Sequence, residues 1–262
     1  MTQSPAGRSL GIVSGKGGVG KSVLAVNLGA VFTKHGRKSV VVDADVNSPS
    51  VGLQLGIPYT NIGLQNILHE RKQFQDAIIA HPATGLRILP ASLKYMRGVS
   101  LKNFNRVISE ANKAYEFTII DSPPGITEDV LHIINASEEL VVITTPDVPS
   151  VSGAIKVISL CKACKKRIHG VVVNRCTDAS FELTAREIES MTEVPVLVRL
   201  PEDDSIPASI AAHLPVVHYA PDSAVSRKLN EFALSFVESG QPKTQGGGLI
   251  TRLFAFIRGI FA

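Results

Sequence analysis

The chain has 262 residues, 44% of them hydrophobic and 19% charged, which supplies enough apolar surface for a sizeable core and excludes bulk disorder. A formal net charge of +4 is too small at this length to mark a nucleic-acid binder unless the cations gather on one face. Three cysteines, Cys161, Cys164 and Cys176, are too few and too unevenly placed for a disulfide framework. No secretory signal precedes the first strand and no apolar run approaches the roughly 20 residues of a membrane span, so a cytoplasmic location is expected.

In chain order, Leu10–Val13 reads as a buried strand, followed by the Gly-rich segment Ser14–Ser22 and an apolar helical pattern through about Lys34, with Gly36 as its stop. A second buried strand, Ser39–Val42, ends on Asp43. Further strands are predicted at Leu86–Leu89, Phe117–Ile120, Leu140–Thr144, Ile168–Val173 and Val196–Leu200. Helices are predicted at Leu101–Lys113, Val151–Lys165, Phe181–Met191 and Ser223–Glu238. Unbroken Val/Ile runs alternating with helices indicate an α/β fold with a doubly wound, mostly parallel sheet covered on both faces. Residues 239–248, SGQPKTQGGG, read as a flexible linker that separates a domain of residues 1–238 from a last segment, 249–262.

The segment Gly15–Ser22, GKGGVGKS, fits the phosphate-loop pattern and lies between a predicted strand and a predicted helix, as that chemistry requires. Gly15, Gly17, Gly18 and Gly20, with Val19 between them, let backbone N–H groups turn inward around phosphate oxygens. Lys21 would neutralise the β- and γ-phosphates of ATP, and the Ser22 hydroxyl would ligate Mg²⁺. Asp43 and Asp45 place two carboxylates at the carboxyl edge of the sheet, where ligands of such folds bind. The run FTIIDSPPG has the form of a strand followed by a metal-holding aspartate, so Asp121 should hold Mg²⁺ through a water.

A second loop lysine, Lys16, gives the motif K-G-G-x-G-K-[ST], and here the sequence resembles the deviant Walker A ATPases, the MinD/ParA/Mrp/nitrogenase-iron-protein superfamily. The resemblance covers about Ser9 to Glu238 and is closest to MinD-like members, through LQNIL, LRILPAS, TTPDVPSVSGAIK, VVNR and LPED. It implies that Lys16 reaches across a homodimer interface to the partner's ATP. It also implies that Asp45 positions the attacking water with Asp43 nearer the Mg²⁺ shell, and that Gly125 approaches the γ-phosphate as part of a second switch. In MinD-like proteins the places of Asn174 and Arg175, and of Pro201, Glu202 and Asp203, hold the adenine.

Two segments, DADVNSPSV and DSPPG, look more like the Mrp-type iron–sulfur carriers, for which Cys161 and Cys164 would be the candidate ligands; reduced structural thiols are the preferred reading. Lys162, Lys165, Lys166 and Arg167 could serve a ParA-like protein on DNA, but they also complement a helix C-terminus, and DNA is not the expected partner.

In LITRLFAFIRGIFA, the residues Leu249, Ile250, Leu253, Phe254, Phe256, Ile257, Ile260 and Phe261 form a broad apolar face at helical spacing. From Gly240 onward the charges are Lys243, Arg252 and Arg258, with no acid. This is the pattern of an amphipathic helix lying in an anionic membrane surface, and MinD proteins end similarly. The expectation is an ATPase that dimerises on ATP, associates peripherally with the inner face of the cell membrane, leaves on hydrolysis and serves spatial positioning such as division-site placement through an unidentified activator or cargo protein. The alternatives are the Mrp-type carrier and the ParA-like positioner.

Overall fold

The most apolar runs of the chain form the centre of a single sheet in the computed structural model, which describes residues 7–57, 62–70, 72–94, 96 and 98–239. The expected helix at 249–262, and all of the expected linker after Ser239, lie outside the described residues. Eight strands take part: β1 (Arg8–Val13), β2 (Ser39–Asp43), β3 (Ile79–Ala80), β4 (Arg87–Leu89), β5 (Phe117–Asp121), β6 (Glu139–Thr144), β7 (Arg167–Cys176) and β8 (Val196–Pro201). Their order is β3-β4-β2-β5-β1-β6-β7-β8, and every neighbouring pair is parallel except β3 with β4. The chain leaves β1 toward one side of the sheet and later fills the other, so the crevice at the carboxyl end of β1 is a topological switch point.

Ten α-helices are described: α1 (Lys21–Lys34), α2 (Val51–Gln54), α3 (Leu64–Glu70), α4 (Phe104–Ala114), α5 (Glu128–Ala136), α6 (Val148–Ala163), α7 (Ala185–Thr192), α8 (Ser205–Ala211), α9 (Val216–Tyr219) and α10 (Ala224–Ser239). Alternate strand residues face opposite layers. Ile12, Val41, Ile119, Val141 and Val172 pack with α1, α9 and α10. On the other face, Val40, Val42 and Ile120 meet α3 and α4, while Val13, Leu140, Val142, Val171 and Val173 meet α5, α6 and α7. This is the expected doubly wound arrangement.

Several boundaries differ from the sequence expectations for local reasons. Helix α6 starts at Val148 because Asp147 caps it, accepting from the Ser150 N–H, and Pro149 lies in its first turn. The helix expected from Phe181 begins only at Ala185, where Thr184 and Glu187 form a reciprocal capping box. Leu101–Asn103 is a 3₁₀ turn ahead of α4. Strand β7 runs past Val173 to Cys176 through an irregularity at which Arg175 takes a left-handed φ of 59°.

Both sheet edges are blunted. Strand β3 is only two residues long. Along β8, the Val196 N–H donates to Glu189 Oε1 at 2.8 Å and the Arg199 carbonyl accepts from Lys228 Nζ at 2.8 Å. Helix α10 runs antiparallel to the strands. Its start meets the carboxyl edge, where the Val225 N–H donates to Asp203, and near its end the Phe236 carbonyl accepts from Arg8 Nη1 at 2.9 Å. The Phe236 ring stacks on His169 with centroids 4.4 Å apart.

Candidate nucleotide site

The loop between β1 and α1 owes its shape to glycine. Gly18 and Gly20 have φ values of +77° and +102°, and Gly20 caps α1 without any side-chain hydrogen bond, so the first amides of that helix keep their donors for a ligand. A Cβ on Gly15 would lie 2.1 Å from the backbone of Gly153 in α6, so the loop and that helix are in direct backbone contact. A Cβ on Gly20 would lie 2.3 Å from Asn174 Nδ2, and that amide donates to the Val19 carbonyl at 2.8 Å. The loop is thus buttressed from β7 and α6, two elements distant in sequence.

Lys21 is buried at the base of the loop, and burial lowers its pKa against the opposing pull of Asp121 and Asp45. Asp121 ends β5 directly across from Asp43 at the end of β2. Burial pushes the Asp121 carboxyl up to about 7, with Asp45 adding to the rise, while a hydrogen bond with Ser22 and the charge of Lys21 oppose it. Its Oδ1 is buried without a hydrogen-bond partner among the described residues. The Ser22 hydroxyl accepts from Ser50 Oγ at 2.6 Å. An orphaned carboxylate oxygen beside a hydroxyl and a lysine suits a divalent cation that arrives with phosphate. Among the described residues no three His, Cys, Asp or Glu side chains form a self-contained metal cage. Magnesium shared with a nucleotide does not need one.

Asp43 is fully buried, and its oxygens accept from the amides of Asp45 (3.2 Å), Ser50 (3.0 Å) and Val51 (3.0 Å). Burial and then Asp121 raise its pKa, and these three amides restrain the rise. In this geometry Asp43 braces the 44–51 loop. Asp45, half-buried, accepts from the Ser48 N–H at 2.9 Å. Gly125, at φ +83°, donates to the Ser14 carbonyl at 3.0 Å, so the loop after β5 is tied to the phosphate loop.

Lys16 points outward with 54% of its side chain exposed, its Nζ 3.9 Å from Asp147 Oδ1. Exposed Gly17 and Gly18 lie beside it. Asn174, Arg175, Pro201 and Glu202 converge: Pro201 pairs with Cys176, the Glu202 N–H donates to the Cys176 carbonyl at 3.0 Å, and Arg175 lies 3.7 Å from Glu202. Asp203 instead binds the Ser205 and Val225 amides, with the Ser205 hydrogen bond foremost in lowering its pKa. Gly153, Asp147 and Ser50 had no role in the sequence reading. Asp147 was visible there as an acid two residues before a proline, a helix-start signature.

Cys161, in the last turns of α6, is buried against the core, its thiol pushed up to about 12 by burial, and Cys164 caps the end of that helix. The neighbouring cations are mostly engaged: Lys162 with Glu193 at 3.0 Å, Arg167 with Glu139 at 2.7 Å, and Lys166 with the Asn135 and Ser137 carbonyls.

Comparison with known proteins agrees with this geometry. A ParA family model described as "NUBPL iron-transfer P-loop NTPase" matches residues 6–237. An uncharacterised ATP-binding protein of Methanocaldococcus jannaschii is 32% identical over 258 residues, 97% of this chain and 96% of that protein. The septum site-determining protein MinD of Thermotoga maritima is 27% identical over 249 residues, 90% of each chain. The structure of MinD complexed with Mg-ADP from Pyrococcus horikoshii is similar at a TM-score of 0.85 and 26% identity, covering 91% of this chain and 99% of that one.

Proposed function

Because the chain belongs to the MinD/ParA family of P-loop NTPases and is thus an ATP-binding ATPase, we propose that its product is a change of location: ATP brings two copies together, the pair settles on an anionic membrane surface through residues 249–262, and hydrolysis releases it. The observation that carries the nucleotide half is the convergence of Lys21, Ser22 and the unpartnered Asp121 oxygen under a glycine loop, with Lys16 exposed beside it. The membrane half rests on the apolar face of residues 249–262 and on the absence of acids after Gly240.

In this reading the loop amides and Lys21 hold the β- and γ-phosphates, and Ser22 and Asp121 hold Mg²⁺, which when bound neutralises charge developing on phosphate oxygens. Asp43 keeps the 44–51 loop in place so that Asp45 orients the attacking water. Lys16 leaves Asp147 and stabilises the partner's phosphates in trans, so turnover depends on the dimer. Asn174 both braces Val19 and borders the base, with Arg175, Pro201 and Glu202 around it and Asp203 fixing the loop. A single short amphipathic helix binds weakly, and two joined in a dimer gain avidity. The biological task is positioning of a cargo or division site through a protein partner.

Vesicle flotation tests the reading. Asp45→Ala should bind ATP, hydrolyse it very slowly and accumulate on anionic vesicles, and adding Phe254→Glu and Ile257→Glu should abolish that accumulation. Vesicle binding that ignores ATP, or that survives both glutamates, would sink the switch. An iron-transfer role, suggested by the description of the matching family model, would require buried Cys161 to leave the core. Anaerobic iron–sulfide loading that gave a cluster spectrum lost in Cys161→Ser would favour it instead.

A further inference from the structure

Seven large hydrophobic side chains stand exposed among the described residues, and five of them follow the carboxyl ends of strands: Leu53 after β2, Leu93 after β4, Ile126 after β5, Val148 after β6 and Phe181 after β7. These strands run parallel, so the five gather at one edge of the sheet. The strand order puts Leu93, Leu53 and Ile126 on one side of β1, whose loop carries Lys16, and Val148 and Phe181 on the other. Hydrogen bonds join the pieces around that loop. Gly125, next to Ile126, donates to the Ser14 carbonyl at 3.0 Å, and Ser50, three residues before Leu53, donates to Ser22 at 2.6 Å. Val148 adjoins Asp147, which lies 3.9 Å from Lys16, and the Leu183 N–H donates to the Pro146 carbonyl at 2.9 Å, drawing the Phe181 loop to the same place. Single hydrophobic residues scattered over a surface call for no explanation, but five gathered round one loop do.

Phe181 is the extreme case, with 86% of its area exposed. Its loop is nevertheless held from both sides. Glu182 accepts from the Thr177 and Asp178 amides at 2.8 and 3.1 Å, and Arg199 donates to Asp178 at 3.0 Å and to the Leu183 carbonyl at 3.1 Å. An aromatic ring on a loop already ordered loses little entropy on being covered, which suits an interface anchor.

We infer that Phe181, with Val148 beside it, is the apolar anchor between two copies of this chain. The inference rests on the ATP-dependent pairing proposed above and names what holds the pair. Exposed Glu128, Asp178 and Glu202 share the edge, so an anionic bilayer or a nucleic acid would be repelled there. A second copy suits it better: a face that carries apolar residues, these acids and the exposed cations Lys16 and Arg175 can complement itself about a two-fold axis.

The test is sedimentation velocity of the full chain with Mg²⁺ and a non-hydrolysable ATP analogue, with ATP turnover and vesicle sedimentation measured alongside. Phe181→Ser removes two anchors per dimer and should weaken pairing by a factor on the order of a hundred or more, and Val148→Ser by about tenfold. Phe181→Leu should retain most of the pairing. The nucleotide affinity and thermal midpoint of the Phe181→Ser monomer should match wild type, and its lost turnover should return as protein concentration is raised. Wild-type pairing in Phe181→Ser would overturn the inference and assign the face to a different protein, while leaving ATP-dependent pairing standing. A wild-type chain that stays monomeric with the analogue would remove both. Loss of nucleotide affinity in the Phe181→Ser monomer would place the ring in the nucleotide site, and loss of vesicle binding with the dimer intact would place it on lipid; either result overturns the anchor.

Discussion

Asp121→Asn should make the nucleotide-free protein more stable while removing its hydrolytic activity. Burial raises the Asp121 carboxyl from 3.8 to about 7. The folded state therefore holds a proton that the unfolded chain releases, and this contribution, present in full below about pH 4, is lost as pH rises through 7. Three pKa units correspond to about 4 kcal/mol at pH 8. The variant escapes that cost and relieves Asp43, which Asp121 also pushes up, but it deprives Lys21 of a counter-charge. A net gain of about 2–4 kcal/mol is expected, which in a domain of this size raises the melting midpoint by roughly 5–10 °C. Thermal unfolding followed by circular dichroism, with chelator and no nucleotide, should show that difference at pH 8 and little of it at pH 4. A variant no more stable than wild type at pH 8, or equally stabilised at both pH values, would refute the account of Asp121 as a buried charge awaiting a cation.

Asn174→Ala removes the donor that satisfies the Val19 carbonyl, at about 1–3 kcal/mol, so ATP affinity measured by fluorescent-nucleotide titration should fall about 5- to 100-fold; an unchanged Kd would show that Asn174 does not brace the loop. Gly153→Ala places a Cβ 3.2 Å from Gly15 and should weaken ATP binding through overpacking of about 1–3 kcal/mol, whereas Gly15→Ala, at 2.1 Å, should abolish it. Equal calorimetric affinities for the two variants would contradict the backbone contact. Lys16→Ala should keep nucleotide binding yet lose both turnover and ATP-dependent dimerisation; a monomer in sedimentation velocity that hydrolyses ATP at the wild-type rate would rule out action in trans.

What the sequence made legible was what is local in the chain. The phosphate loop lies in one octapeptide, Gly15–Ser22, and the buried strands announce themselves as Val/Ile runs. Helix α5, absent from the expectations above, carries equally local marks: Thr127 caps it and Glu128 and Asp129 fill its first turn. The capping box at Thr184 likewise marks the start of α7. Contacts between distant segments left no such mark. That Gly153 touches Gly15 depends on how closely α6 packs beneath the loop, and that Asp43 spends its oxygens on three amides depends on the path of residues 44–51. The overrun of β7 depends on Arg175 accepting a left-handed backbone, which its residue type does not announce.

The blunted sheet edges bear on how much of this protein a surface can carry. A two-residue β3 offers almost nothing to pair with, and on β8 the Val196 amide and the Arg199 carbonyl are already occupied by Glu189 and Lys228. Copies pressed side by side in two dimensions meet at concentrations far above those in bulk, where unpaired strands would template one another into cross-β aggregates. With both borders blunted, copies gathered on the membrane surface proposed above would have little strand edge to pair through, and a crowded patch would disperse molecule by molecule.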